Sequence, residues 1–372
     1  MECIAAKPPS QTTRVLFVIG GFGLGNSTRC GGLIESLARR GVEIDVATSN
    51  NGLWYFQGSG NVRNLFSIHS FSYGSRDGQL SFLASVCLIP IAFIRLILNA
   101  GTLLRLQRQS HYQWIAVDSE YSAFLIRWLL RTPLVAINNV FFTFASSGST
   151  PAPLKKGLFF HYLLEKLDHF LQSTLSDFKL SPCFFKNELP ANSGISFFSS
   201  LVRSPLLPFF SKTSSLRHAL VICSGSGLGI THQIIKKLSE CDQIKTLSVV
   251  GAEGLSTHKI SYFGRQKNLE PFFLTADFIV SNAGFSTISE AIALGKKILT
   301  FPIPRHYEQH INADYIERNG LGIRSEPNSI NKDLTRLQQL IDSNSSDKIS
   351  SMSDNNCEDL AAATQFLINI GK

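Results

Sequence analysis

Apolar runs that stop at glycines recur along the chain. RVLFVIG (14–20) meets the loop GGFGLGNS, and TRCGGLIESLARRG then shows helical spacing closed by Gly41. VEIDVATS (42–49) follows as a second apolar run. A continuous run, rather than an alternating one, predicts a strand buried on both faces of a parallel sheet. The three segments make a βαβ unit. WIAVDS (114–119) and PLVAINNV (133–140) predict further strands, with a helix over AFLIRWLLR between them.

The plan then repeats. HALVICSG (218–225) runs into SGSGLG, THQIIKKLSE predicts a helix, and IKTLSVVG, FFLTADFIVSNAG and KKILTFPIP continue the alternation. Between the halves, SSLVRSPLLPFFSKTSS is rich in Ser and Pro and predicts a connector. The expected organisation is an N-terminal domain over 1–203, a linker over 204–216, a second domain over 217–356 and a terminal helix over 357–372. Residues 326–356 predict a polar surface loop around a helix at KDLTRLQQLID.

Composition narrows the class. The 372 residues are 44% hydrophobic and 17% charged, with a net charge of +8, which favours anionic partners. No Lys/Arg block is long enough for a nucleic-acid tail. The seven cysteines are odd in number and form no CxxC, a pattern of reduced cytoplasmic thiols rather than of disulfides or a zinc site. One apolar stretch stands apart, FLASVCLIPIAFIRLILNAGTLLRLQRQ (82–109). Pro90 and Arg95 argue against a span. The stretch leaves two readings open: an interfacial helix on an anionic membrane surface, assisted by 155–172, or a helix buried on the N-terminal sheet.

The candidate chemistry clusters near 282–309. The strand before Asn282 ends where a helix begins near Ser286, and ligands of open α/β sheets lie beyond such strand ends. Free N–H groups at a helix start favour phosphate, with Gly284 leaving room and Ser286 and Thr287 offering hydroxyls. Glu290 shares that helix face and suits ribose hydroxyls. A plain capping box is the alternative. PIPRHYEQH predicts an irregular loop presenting Glu308 and Gln309 to sugar hydroxyls.

The segment 274–322 resembles the donor-binding region of GT-B nucleotide-sugar glycosyltransferases, family 28 enzymes and UDP-glycosyltransferases in particular. Asp277, Gly284, Thr287, Glu290, Gly295, Glu308, Gln309, Asn312 and Ala313 fall in register with its signature, while Lys297 replaces the usual Pro. The resemblance implies two Rossmann-like parallel-sheet domains facing across a cleft. It implies Gly284, Ser286 and Thr287 on the diphosphate, Glu290 on the ribose, Glu308 and Gln309 on the sugar, and the backbone near Phe263 on the base. Gly225, Ser226 and Gly227 would form a further phosphate cradle.

GGFGLGNSTR resembles the N-terminal cleft loop of a family 28-like subgroup, here with Gly23, Gly25 and Asn26. Asn26 stands where many relatives have His and cannot serve as a general base. Asp118 and Glu120, at a predicted strand end, are then the expected proton acceptors, with helix capping as the alternative role for Asp118. The absence of Asp-x-Asp argues against a metal-chelating transferase, so no metal and no cofactor are expected. The expected activity is inverting transfer from a nucleotide-diphospho-sugar, a UDP-sugar, to a lipid or polysaccharide precursor at the inner membrane face. Rival readings are a UDP-sugar 2-epimerase of the same fold, a non-catalytic sugar-nucleotide-binding partner protein and, from the glycine loop, an NAD(P) oxidoreductase.

Overall fold

The computed structural model describes residues 13–71, 74–76, 79–80, 82–147, 158–184, 189, 194–199, 215–224, 229–343 and 347–370. The chain runs β1 (Arg14–Ile19), α1 (Gly25–Ala38), β2 (Glu43–Thr48), α2 (Asn50–Phe56) and β3 (Asn64–Ser67). The short pair β4 (Ser75–Arg76) and β5 (Gln79–Leu80) precedes α3 (Phe82–Cys87) and α4 (Ile89–Ser110). Then come β6 (Trp114–Asp118), α5 (Ser122–Leu125), α6 (Arg127–Leu130), β7 (Leu134–Ile137), α7 (Val140–Ser147), α8 (Phe159–Leu175), β8 (Phe178–Cys183) and β9 (Ser196–Ser199). The second half holds β10 (His218–Ile222), α9 (His232–Glu240), β11 (Thr246–Val250), β12 (Ile260–Tyr262), α10 (Glu270–Thr275), β13 (Phe278–Ser281) and α11 (Phe285–Ala293). It closes with β14 (Ile298–Thr300), α12 (Tyr307–Arg318), β15 (Gly322–Arg324), α13 (Ile330–Asp342) and α14 (Asp347–Ile370).

The large sheets have the strand orders β3-β2-β1-β6-β7-β8-β9 and β12-β11-β10-β13-β14-β15. Every pairing within them is parallel. The strand order of each sheet therefore reverses once, between β1 and β6 and between β10 and β13. Those switch points put the following loops at one edge, where ligands of such sheets bind. The strands are apolar throughout because helices cover both faces: Val15, Leu16, Phe17 and Val18 are fully buried in β1, as are Phe278, Ile279 and Val280 in β13.

Four local expectations need correction. AFLIRWLLR is not one helix but α5 and α6, broken at Ile126 (φ −111°, ψ 17°). The PIPRHYEQH segment is a loop only as far as His306, because α12 already begins at Tyr307. Residues 326–356 hold more helix than loop, and the terminal helix starts at Asp347 instead of Cys357. That helix packs on the first domain: Ala363 and Leu367 join Leu33, Leu37 and Trp114 in one core. Thr364 Oγ1 also donates to Ser36 Oγ at 2.8 Å.

Candidate active site

The two sheet edges face each other across a cleft of about 430 Å³. One wall carries the first turn of α11. The chain turns from β13 into α11 through Ala283, whose φ of +61° is left-handed, and Gly284. Gly284 is the N-cap and supplies no side-chain cap, so the first N–H groups of α11 have no side-chain acceptor of that kind. A Cβ placed on Gly284 would meet nothing within 4 Å. Ser286 and Thr287 lie in the first helical turn rather than capping it, which removes the plain N-cap reading. Asn282, Gly284, Ser286, Thr287, Glu290, Glu308 and Gln309 all line this cleft, as the donor-site expectation requires of them.

The opposing wall comes from the first domain. Gly23, Gly25 and Asn26 line the cleft, and Ser286 Oγ donates to the Gly25 carbonyl at 3.1 Å. The loop is pressed against neighbouring strand ends, since a Cβ on Gly21 would sit 1.8 Å from the Ser49 carbonyl oxygen. Asn26 is occupied in holding that loop: its Nδ2 donates to Gly20 O at 3.3 Å, and its Oδ1 accepts from Arg29 Nη2 at 2.9 Å.

Arg29 organises what lies behind. Its Nε and Nη2 donate to the two Asp118 oxygens at 3.0 and 2.6 Å, and its Nη1 donates to Asn139 Oδ1 at 2.9 Å. Asn139 Nδ2 then crosses to the second domain and donates to Glu308 Oε1 at 2.7 Å. Asn312 Nδ2 reaches the same oxygen at 3.3 Å and the Ala283 carbonyl at 3.1 Å, tying α12 to the turn before α11. A polar chain thus runs from Asp118 to the mouth of α11. Burial raises the pKa of Glu308, and nearby Arg29 and the two amides pull it back.

Asp118 is 1% exposed, is absent from the cleft wall and also accepts from Cys30 Sγ at 3.3 Å and Ser119 Oγ at 3.2 Å. Glu120 does line the cleft, yet its oxygens take Asn99 Nδ2 at 3.1 Å, the Ser122 N–H at 3.0 Å and the Ser122 hydroxyl. Phe263 stands outside the cleft walls, edge-on to Phe272 at 4.8 Å. Gln266 and Lys267 of the same loop are the ones that line it. Gly225, Ser226 and Gly227 lie outside the described residues.

Sequence reasoning missed one face of α8. His161, Glu165 and Asp168 all line the cleft. Their spacing of four and three residues on an amphipathic helix was the available signal. Burial pushes Asp168 up to about 6, against hydrogen bonds from Gln172 and Tyr121 that lower it. Burial also drives Glu165 well above the usual carboxylate range, with Glu308 adding to the rise. His161 and His306 are held neutral by burial, near 2 and 4 respectively. His161, Glu165 and His306 place one candidate ligand atom each within 4.8 Å of one another.

The profile of glycosyl transferase family 1 matches residues 13–341. A glycosyltransferase of Methanosarcina acetivorans, itself described as uncharacterized, is 24% identical over 331 residues, 83% of this chain and 84% of that one. Among solved structures, MurG of Acinetobacter baumannii superposes with a TM-score of 0.58 over 96% of this chain and 99% of its own, at 13% identity. The Streptomyces glycosyltransferase SsfS6, solved with thymidine diphosphate, gives a TM-score of 0.61 over 96% of this chain and 99% of its own, at 15% identity. Likenesses that distant speak for the fold, and the matched profile speaks for the lineage: two parallel-sheet domains facing across one cleft make this a GT-B glycosyltransferase, and the chain belongs to glycosyl transferase family 1.

Proposed function

We propose that the chain moves a sugar from a nucleotide-diphospho-sugar, of the UDP-sugar type, to an acceptor hydroxyl with inversion. The observation that carries this is the helix mouth without a side-chain cap at Gly284, opening into unfilled space in the interdomain cleft. The diphosphate sits there, on the α11 N–H groups and beside Ser286 and Thr287. Glu290 takes the ribose, and Glu308 with Gln309 takes the sugar. Gln309 Oε1 already accepts from the Ile303 N–H at 2.8 Å, which leaves its amide group to meet a hydroxyl.

The acceptor hydroxyl attacks the anomeric carbon as the bond to the diphosphate oxygen breaks. The α11 dipole and N–H groups stabilise the leaving diphosphate. The hydroxyl proton goes to Asp168, which faces the cleft and is poised near 6, close to the range where a base works best. In this reading Asp118 holds Arg29 in place, and neither Asp118 nor Glu120 touches the acceptor.

The acceptor is a lipid-linked or polysaccharide precursor met at an anionic membrane surface. α4 is long and apolar enough to cross a membrane by length and composition. Ile89, Phe93, Ile94 and Leu98 on it are at least half exposed, and Trp128 on α6 is 75% exposed. Exposed Arg105, Arg108 and Arg131 flank these residues and suit anionic headgroups. Radiolabelled UDP-sugars offered with and without polyprenyl-phosphate acceptors test the reading. Transfer to acceptor supports it. Sugar interconversion without acceptor makes the protein an epimerase, and no nucleotide binding makes it a partner protein.

A further inference from the structure

We infer that His161, Glu165 and His306 form a divalent-metal site of the zinc class that clamps the two domains together. The three side chains come from two elements on opposite walls. His161 and Glu165 are one turn apart on α8 of the first domain, and His306 is the N-cap of α12 in the second. Their candidate ligand atoms lie within 4.8 Å of one another, and His161 Nδ1 is 3.5 Å from Glu165 Oε1. An ion bound at about 2.1 Å to two imidazole nitrogens and one carboxylate oxygen in a tetrahedral site draws such atoms to about 3.4 Å apart. The His161–Glu165 pair is already at that spacing, and the atoms of His306 lie no more than 4.8 Å from theirs.

The donor set also fits. Two imidazoles and one carboxylate, with a further position open to a cleft, is the ligand pattern of zinc sites that keep one exchangeable position. The His306 Nδ1 is buried and has no hydrogen-bond partner. The His161 and His306 rings lie 4.4 Å apart at 35°. His161 Nδ1 takes a long contact from the Tyr307 N–H at 3.3 Å, which an ion on that nitrogen displaces. His310, the third imidazole nearby, is held by Arg324 at 2.7 Å and stays outside the set. Among the described residues, His161 is the one basic side chain at 4.0 Å or less from Glu165, so no Lys or Arg competes with an ion there. The site shares no residue with the α11 helix mouth, so it stands independently of which donor the enzyme uses.

The test is metal titration of the untagged full chain by calorimetry, with zinc, cobalt and magnesium chlorides, on wild type, His161→Ala, Glu165→Gln and His306→Ala. The expected result is one zinc or cobalt ion per chain at micromolar or tighter affinity. Cobalt should give the visible absorption of a four- or five-coordinate ion, magnesium should give no such binding, and each variant should lose at least tenfold. Zinc should raise the melting temperature of wild type but not of the variants. Should His161→Ala fail to fold, Glu165→Gln and His306→Ala decide alone. No zinc binding below about millimolar concentration, or binding and thermal shift unchanged in the variants, overturns the inference.

Discussion

Arg29 is 4% exposed and Asp118 1%, and the pair is joined by two hydrogen bonds across 89 positions of sequence. Removing one partner leaves the other charge buried without its counter-ion, at about 3–5 kcal/mol. Arg29→Ala should therefore lower stability by about that much in urea unfolding, and adding Asp118→Asn should recover part of it. Equal losses in the single and double variants would contradict the pairing. Asp168 makes a different prediction. Its pKa is raised from 3.8 to about 6, so folding favours the protonated carboxyl; that stabilisation is complete below about 4 and lost as pH rises through about 6. Asp168→Asn should raise the melting temperature at pH 7.5 and leave it unchanged near pH 4. The same variant should lose about 10²–10⁴-fold in kcat with KM little changed, and wild-type kcat should fall below about pH 6. A full-rate Asp168→Asn enzyme would remove Asp168 from the proton-accepting role. None of this was legible beforehand. Asp118 looked like a free carboxylate at a strand end because its partner is remote in sequence, and Asp168 looked like one charge among many on an amphipathic helix.

At the level of elements, α11 carries the most explicit expectation. Gly284→Ser puts a good capping side chain where none exists now. Its hydroxyl would occupy an N–H group that a phosphate would otherwise use. The variant should keep or raise its melting temperature while nucleotide affinity falls at least tenfold; unchanged affinity would mean the phosphate binds elsewhere. This element was readable in the sequence, because an apolar run, a glycine and a helix pattern are all local signals. The breaks within 122–130 and the early start of α12 were not, since both depend on packing partners. For α4, composition left burial and interfacial contact equally open, and the exposed side chains favour the second. Flotation with anionic vesicles should carry the protein upward at low salt, and Ile94→Glu with Phe93→Glu should abolish it. Unchanged flotation in that variant would assign α4 another role.

For the whole molecule, the two domains meet through an apolar seam, with Phe142 and Phe184 of the first against Phe285 and Tyr315 of the second, and through polar contacts across the cleft. Ser286 meets Gly25, Asn139 meets Glu308, and Lys267 Nζ donates to the Gln57 carbonyl at 2.7 Å. Arg265 and Lys267 also lie over the Trp54 ring at 4.7 and 5.4 Å. The repeated strand–glycine–helix plan announced two domains, and the donor motif put the proposed nucleotide site on the second. The network joining Arg29 to Glu308 was hidden, because it forms only when both domains are folded and facing.

The central claim is that the mouth of α11 and Glu290 hold a nucleoside diphosphate. Calorimetry with UDP, GDP, dTDP and NAD, on wild type and Glu290→Ala, tests it most directly. The account predicts that one nucleoside diphosphate binds and that Glu290→Ala weakens it at least tenfold. Tight NAD binding without preference for any diphosphate, or equal diphosphate affinity in the two proteins, would contradict it.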